Sequence, residues 1–216
     1  MSSSKRLLLA VDPSLTASGW AIFEIHSSRL VAVGVISPPG TPEFLSKRLS
    51  SLQLAVSTLF EKFSLGKNDF LVCEGPAPLV KNPQSALKVE GVRGIFETIA
   101  RGQGLLVPGR VNPRTVQSEI LGMKGKQLER KVVKEWSRHA AYRLYEKPLK
   151  VLFEVKDETL PKISQDIVDA LLIGTLALSR IQVCLKTRSS IESAFCSPAT
   201  RRRGLGGARR SSGWTE

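Results

Sequence analysis

The chain has 216 residues and carries 32 Lys and Arg against 19 Asp and Glu, a formal net charge of +13 at pH 7. That length suits one domain with a substantial core. A basic excess of this size favours a polyanionic partner, nucleic acid first and an anionic membrane surface second. No apolar run reaches membrane-spanning length and no secretory leader is recognisable, so we expect a soluble, intracellular protein.

The cysteines and histidines give no pattern of a metal or disulfide site. Cys73, Cys184 and Cys196 are an odd number with no paired spacing, so the sequence suggests neither a disulfide framework nor a zinc site and favours reduced, structural thiols. His26 and His139 lie far apart, with no acidic or cysteine neighbour in motif spacing. We therefore expect any catalytic chemistry to depend on carboxylates.

The first predicted element is a buried central strand. Residues 7–11 are apolar without polar alternation, which is typical of a strand covered on both faces, and the run ends on Asp12. Pro13 and Gly19 supply turn chemistry before a second strand at residues 20–25, so the two strands are predicted to form a hairpin. Taken alone, Asp12 is best interpreted as a residue that starts the turn.

The other elements alternate strands with helices and predict an α/β fold. Their predicted ranges are a third meander strand at 30–37, a helix capped by Thr41 at 41–65, a strand at 69–73, a helix at 85–102, a strand at 105–108, a short helix at 113–121, a basic helix at 127–145, a brief strand or loop at 151–155 and a helix at 164–178. Inside the 85–102 helix, Gly91 and Gly94 are expected to contact another backbone, since glycine there is less favourable than alanine by about 1 kcal/mol.

Four acidic residues stand at comparable positions in this pattern. Asp12 and Glu74 each end a predicted strand, whereas Asp166 and Asp169 lie three residues apart on one face of the last helix. Acids in a first helical turn also interact favourably with the helix dipole, which explains each of the two helical acids singly. If all four meet, they form an oxygen-only site suited to Mg²⁺ or Mn²⁺, and two such ions can clamp a phosphodiester during cleavage.

The order of these motifs resembles that of the RuvC-type Holliday junction resolvases. The resemblance runs from the strand with Asp12 and the strand with Glu74 through KNPQSALKVEGVRG at 81–94 to DIVDAL at 166–171. It implies an RNase H-like fold with a mixed five-stranded sheet, an antiparallel meander plus parallel strands, flanked by helices. It also implies a homodimer formed through the 85–99 helix. Such a dimer would make paired nicks in four-way DNA junctions during DNA recombination and repair.

The same resemblance implies the roles of individual residues. Asp12, Glu74, Asp166 and Asp169 match the catalytic acids that hold two Mg²⁺ (or Mn²⁺) ions, and Lys126 resembles a catalytic lysine near the scissile phosphate. The loop after Glu74 lacks the aromatic wedge of many bacterial members, and Leu79 is the expected substitute. The candidate DNA contacts are Ser14, Thr16, Leu79, Lys81, Asn82, Arg114, Lys124, Arg130 and Lys131.

Two regions leave alternatives open. The basic helix is either a solvated face or, with the lysine-rich turn at 123–126, a phosphate-contacting device. Residues 1–180 are predicted to form the nuclease domain, and residues 181–216 a disordered basic tail that adds nucleic-acid affinity or serves as a targeting signal.

Two other function classes compete with a nuclease. An Asp followed by a Ser- and Thr-containing hairpin also occurs in actin-like ATPases and sugar kinases, but the sequence has no second glycine-rich phosphate loop. A nucleic-acid-binding module that has lost catalysis is the third interpretation, and the presence of all four acids argues against it.

Overall fold

A mixed five-stranded sheet forms the centre of the protein in the computed structural model, which describes residues 5–40, 42–76, 83–123, 129–155 and 159–195. The strands are β1 (Leu7–Asp12), β2 (Ser18–Glu24), β3 (Arg29–Ile36), β4 (Phe70–Glu74) and β5 (Arg110–Val111). The helices are α1 (Leu45–Lys62), α2 (Pro83–Gly102), α3 (Pro113–Glu119), α4 (Arg130–Leu152), α5 (Gln165–Thr187) and α6 (Ile191–Phe195). The predicted α/β class and the mixed sheet with flanking helices are confirmed.

Strand β1 lies at the centre of the sheet, as its uniformly apolar sequence predicts. The strand order is β3-β2-β1-β4-β5; β1 pairs antiparallel with β2 and parallel with β4. Leu8 and Ala10 pack on one side with α4 and α5, whereas Leu9 and Val11 pack on the other with α1 and α2. Both faces are therefore buried, which removes the need for polar alternation.

Helix α5 comes unusually close to the sheet because two glycines leave room for it. A Cβ built on Gly19 would lie 1.9 Å from the carbonyl oxygen of Asp166, and one built on Gly174 would lie 2.1 Å from the ring of Phe23. Gly19 is also the β2 partner of Asp12. The first turn of α5 is thus held directly against the end of β1 that carries Asp12.

The apolarity of α5 is explained by this packing. Among the described residues, α5 alone is long and apolar enough by composition to cross a membrane, and 67% of its most apolar window is buried inside the protein. Its side chains join those of β1 and β2 in one core cluster.

Three predicted boundaries are wrong for identifiable reasons. Helix α1 begins at Leu45 behind Phe44, which makes no side-chain cap, and the predicted cap Thr41 lies outside the described residues. The strand predicted at 105–108 is reduced to a bridge from Leu106 to Phe70, because Pro108 lacks an N–H, and the paired strand follows at Arg110–Val111. Helix α4 continues through Leu152, since Leu149 is fully buried near its end.

Helix α5 runs across residue 180, where the sequence predicts that the nuclease domain ends. Helix α5 continues to Thr187 with Ile181 and Cys184 buried, and α6 buries Phe195 against Gly109. The folded part therefore extends to at least residue 195, and the rest of the predicted tail, 196–216, lies outside the described residues.

The two glycines of α2 face open space within the described chain. A Cβ built on Gly91 or Gly94 meets no heavy atom within 4 Å. No other segment of the described chain approaches them, so the expected backbone contact is absent from that part of the protomer.

Candidate active site

Two of the four acids meet because they end neighbouring parallel strands. Asp12 is the last residue of β1 and Glu74 the last residue of β4, and the carboxyl ends of parallel strands lie at the same edge of a sheet. Their carboxyl groups lie close enough for each to shift the pKa of the other. Gly75 N–H, immediately after Glu74, donates to the carbonyl of Val111 at 2.7 Å, which fixes this strand end against β5.

The other two acids come from the first turns of α5. Ser164 caps this helix, its Oγ accepting a hydrogen bond from the N–H of Ile167 at 3.3 Å, as its sequence position predicts. Asp169 lies near Gln165, whose side-chain amide donates to Oδ1 of Asp169 at 2.9 Å. The capped start of α5 thus holds Asp166 and Asp169 beside the acids of the sheet.

The four carboxylates interact strongly through space. Burial first, then the charges of Asp169 and Asp166, raise the pKa of Asp12 to about 7. Burial and the charges of Asp12 and Asp169 raise the pKa of Glu74 to about 8, and burial with the charge of Asp166 also raises the pKa of Asp169. The sheet-edge acids therefore share a crowded, half-buried environment in which full ionisation is costly.

This donor set suits a hard cation in its chemistry, although its side chains do not form a ligand shell. Within the parts of the chain that the structure describes, no three Asp, Glu, His or Cys side chains converge closely enough to hold one metal ion. Instead, Asp12 and Glu74 form a close pair, and Asp169 accepts a hydrogen bond from Gln165. All four donors are carboxylates, which Mg²⁺ and Mn²⁺ prefer, and a divalent cation would offset their repulsion.

A cleft of about 390 Å³ leads away from Glu74 and Asp169 between α3, α4 and α5. Arg130 and Lys134, one helical turn apart on α4, line it, and their positive charges lower the pKa of Asp169 against the effect of burial. Arg130 was predicted from the sequence as a DNA contact, whereas Lys134 was not. Its spacing of four residues from Arg130 is the signal that identifies it.

The loop after Asp12 holds the two predicted hydroxyl contacts. Ser14 Oγ and Thr16 Oγ1 lie 3.0 Å apart and are hydrogen-bonded to each other. The buried Ser18 closes this loop, because its Oγ donates to the carbonyl of Ser14 at 2.7 Å and accepts from the N–H of Ser14 at 3.0 Å. The loop is therefore a fixed turn beside the acids.

The remaining predicted site residues divide into two groups. Arg114 and Lys131 are exposed, near the starts of α3 and α4. Five others lie outside the described residues: Leu79, Lys81, Asn82, Lys124 and Lys126. Cys73 and Cys184 are free and buried, and burial raises the pKa of the Cys73 thiol, which agrees with a structural role.

Comparison with known proteins places the chain in a family. No protein-family model matches it. Two curated relatives, the crossover junction endodeoxyribonucleases RuvC of Hyphomonas neptunium and Maricaulis maris, are 31% and 32% identical over 120 and 117 residues. Each alignment covers 53% of this chain, and they cover 66% and 67% of the two relatives. The chain belongs to the RuvC family.

Solved structures agree on the RNase H-like RuvC fold. Thermus thermophilus RuvC matches with a TM-score of 0.58 and 18% identity, covering 82% of this chain and 96% of its own. T. thermophilus RuvC in complex with a Holliday junction substrate matches with a TM-score of 0.56 over the same shares. The predicted fold family is thereby confirmed, and the actin-like and sugar-kinase interpretation is not favoured.

Proposed function

We propose that this RuvC-family chain is a structure-selective DNA endonuclease that resolves Holliday junctions by paired, metal-dependent nicking. The observation that carries the proposal is the meeting of Asp12, Glu74 and the first turns of α5 at one sheet edge. Four carboxylates crowded at the carboxyl ends of strands are costly for stability, so a function is the better explanation. The protein would act in the cytoplasm or nucleoid, or in an organelle that contains DNA.

Two metal ions, Mg²⁺ or Mn²⁺, would be held by the four acids Asp12, Glu74, Asp166 and Asp169. Bound there, the metal would activate water and stabilise the charge that develops on a phosphodiester during cleavage. The protein's own contribution is to hold the four carboxylates against one sheet edge. Gly19 assists, because the close approach of α5 keeps Asp166 near Asp12.

The basic cleft would receive the DNA strand that is cut. Arg130 and Lys134 line it next to Asp169, and the exposed Arg114 and Lys131 would extend phosphate contacts beyond it. Ser14 and Thr16 follow Asp12 and would add hydroxyl contacts. We keep Lys126 as the proposed catalytic lysine and propose Leu79, Lys81, Asn82 and Lys124 as further contacts.

Helix α2 would form the homodimer. Leu87 is 72% exposed on it, and the open space at Gly91 and Gly94 would let a helix of a second copy approach closely. Two protomers related in this way carry two sites, which paired nicking of a four-way junction requires.

The test is cleavage of labelled four-way junction, linear duplex and flap DNA by the purified chain, with Mg²⁺, Mn²⁺ or EDTA. We expect paired nicks in the junction with either metal, little cutting of duplex, and none in EDTA. If no substrate is nicked in any metal, the nuclease proposal is wrong. Junction binding without nicking would support the inactive nucleic-acid-binding module instead.

A further inference from the structure

Arg93 is buried directly behind the acids of the sheet edge. It lies on α2 with its side chain only 3% exposed, and its Nε–H donates to the backbone carbonyl of Glu74 at 2.6 Å. Glu74 is the last residue of β4, so this bond is made at the point where the strand ends and its carboxylate begins. Nothing in the local sequence marks Arg93 for this position, because it stands between Val92 and Gly94 on α2.

A chain of ion pairs holds Arg93 in this orientation. Its Nη1 pairs with Glu90 one turn earlier on α2, and Glu90 also binds Nη1 of Arg110 at 2.7 Å. Arg110, on β5, in turn binds Glu97 at 2.7 Å through Nε and 3.1 Å through Nη2. The network therefore ties α2 to β5 and to the end of β4.

Packing alone does not explain a charged residue at this place. Burying a guanidinium costs free energy unless all its N–H groups have partners. An apolar side chain of similar volume commonly gives the fold equal or greater stability. Arg93 uses one donor on the Glu74 carbonyl and another on Glu90, which leaves its charge close to the acid cluster. That charge acts on both sheet-edge acids: it lowers the pKa of Asp12 and of Glu74 against the stronger effect of burial.

We propose that Arg93 is a positioning residue of the metal site: its bond to the Glu74 carbonyl fixes the end of β4, and its positive charge lets Glu74 and Asp12 stay close together. The proposal rests on the proposed function in so far as the four acids hold the metal. Arg93 itself touches neither metal nor DNA, and it acts through Glu74.

The test compares three purified variants by calorimetric titration with Mg²⁺ and by junction cleavage over a range of Mg²⁺ concentrations. Arg93→Met removes the charge and the bond, whereas Arg93→Lys keeps a charge. Arg110→Met is the matched control, since it removes ion pairs from the same network without a contact to Glu74. We expect Arg93→Met to weaken Mg²⁺ binding by about 10-fold to 100-fold, the range typical for residues that orient metal ligands.

The variants separate positioning from general stability. Arg93→Lys is expected to recover part of the lost affinity, and Arg110→Met to lower the melting temperature while Mg²⁺ affinity stays within about twofold of wild type, well below the loss typical of residues that orient metal ligands. Unchanged Mg²⁺ affinity in folded Arg93→Met, or an equal loss in Arg110→Met, overturns the role of Arg93. If Arg93→Met does not fold, the test rests on Arg93→Lys, which lacks the Nε–H. Wild-type Mg²⁺ affinity in folded Arg93→Lys would overturn the role of the Nε–H bond.

The wild-type chain distinguishes failure of this inference from failure of the proposed function. If it binds Mg²⁺ without cutting any branched DNA, the nuclease proposal fails, and the calorimetric comparison still decides on Arg93. If it binds no Mg²⁺ at all, the metal site and the role of Arg93 are both overturned.

Discussion

At the scale of single residues, the interpretation of Asp12 depends on which side chains surround it. Beside Pro13 it has the sequence context of a turn residue, and only the nearby carboxyl groups of Glu74, Asp169 and Asp166 make it part of the candidate site. Such crowding opposes folding when no cation is bound, because ionised groups are held together in a half-buried place. We therefore expect the acids to lower the stability of the metal-free protein.

Asp12→Asn tests this conclusion. At pH 8 without metal the amide removes one crowded charge, so the variant should have a higher melting temperature than wild type. A gain of about 1 kcal/mol in the free energy of unfolding corresponds to about 2–4 °C for a chain of this size. Thermal unfolding in EDTA measures it. The same variant should bind the junction while nicking falls below detection.

Two results would contradict that assignment. A lower melting temperature of Asp12→Asn in EDTA would mean that the carboxylate stabilises the fold. Persistent nicking would mean that Asp12 is not a metal ligand.

The pKa of Glu97 is shifted in the opposite direction to that of Asp12. Burial would raise its pKa, but hydrogen bonds and charge from Arg110, with a further contribution from Arg101, lower it below the ordinary glutamate value. A carboxyl whose pKa is lower in the folded state stabilises the protein above its unfolded pKa, and this contribution is lost as the pH falls through the folded pKa.

Urea unfolding of wild type and Glu97→Gln from pH 7 to pH 3.5 checks the sign. We expect the variant to be less stable at pH 7, and the difference between the two free energies of unfolding to shrink as the pH falls below about 4.5, the region where glutamate titrates. Glu61→Gln, an exposed change on α1, is the control. A difference that grows on acidification would show that the ion pairs do not stabilise the fold.

At the scale of elements, the distance between α5 and the sheet decides whether the acids meet. Gly19 sets this distance from the sheet side, since an added methyl would overlap the backbone of Asp166 rather than a side chain that can rotate. Backbone of a capped helix moves only with the helix, so the clash would displace α5 as a unit.

Gly19→Ala is expected to lower the free energy of unfolding by about 1–3 kcal/mol, the usual cost of overpacking. It should also weaken Mg²⁺ binding, because Asp166 and Asp169 move away from Asp12. Gly40→Ala is the control, since a Cβ there meets nothing within 4 Å. Urea unfolding and Mg²⁺ calorimetry measure both effects, and a Gly19→Ala protein as stable as Gly40→Ala would contradict the close approach.

At the scale of the whole molecule, the exposed face of α2 is the surface through which we propose that a second copy binds. Leu87 is largely exposed, and the open space at Gly91 offers a place where another backbone can approach. Arg93 and Glu97 lie on other sides of α2 and are buried in the network behind the site.

Gly91→Arg should therefore convert a dimer to a monomer with little change in the fold of each protomer, because nothing within the described chain contacts that position. Light scattering after size exclusion gives the mass, and circular dichroism gives the fold. Leu54→Arg is the matched control on α1, where the replaced side chain is 70% exposed. A wild-type monomer, or a dimer unaffected by Gly91→Arg, would exclude this interface.

Sequence patterns predicted the parts of the fold that depend on local chemistry. The apolar run at β1, the acids that end β1 and β4, and the Ser164 cap of α5 are all visible in a few consecutive residues. The burial of Ile181 and Phe195 was not, because Ile181 lies between Arg180 and Gln182 and Phe195 lies in a serine-containing segment, so only packing identifies them as core residues.

What the sequence by itself determined is the set of elements and the position of each acid on its element, since backbone conformation and periodicity depend on near neighbours. Tertiary structure alone decided that Gly19 admits α5, that Arg93 turns its Nε–H to the carbonyl of Glu74, and that Arg130 and Lys134 lie beside Asp169 in the cleft. These contacts join residues far apart in the chain, and their distances are set by how the layers pack, which no local pattern encodes.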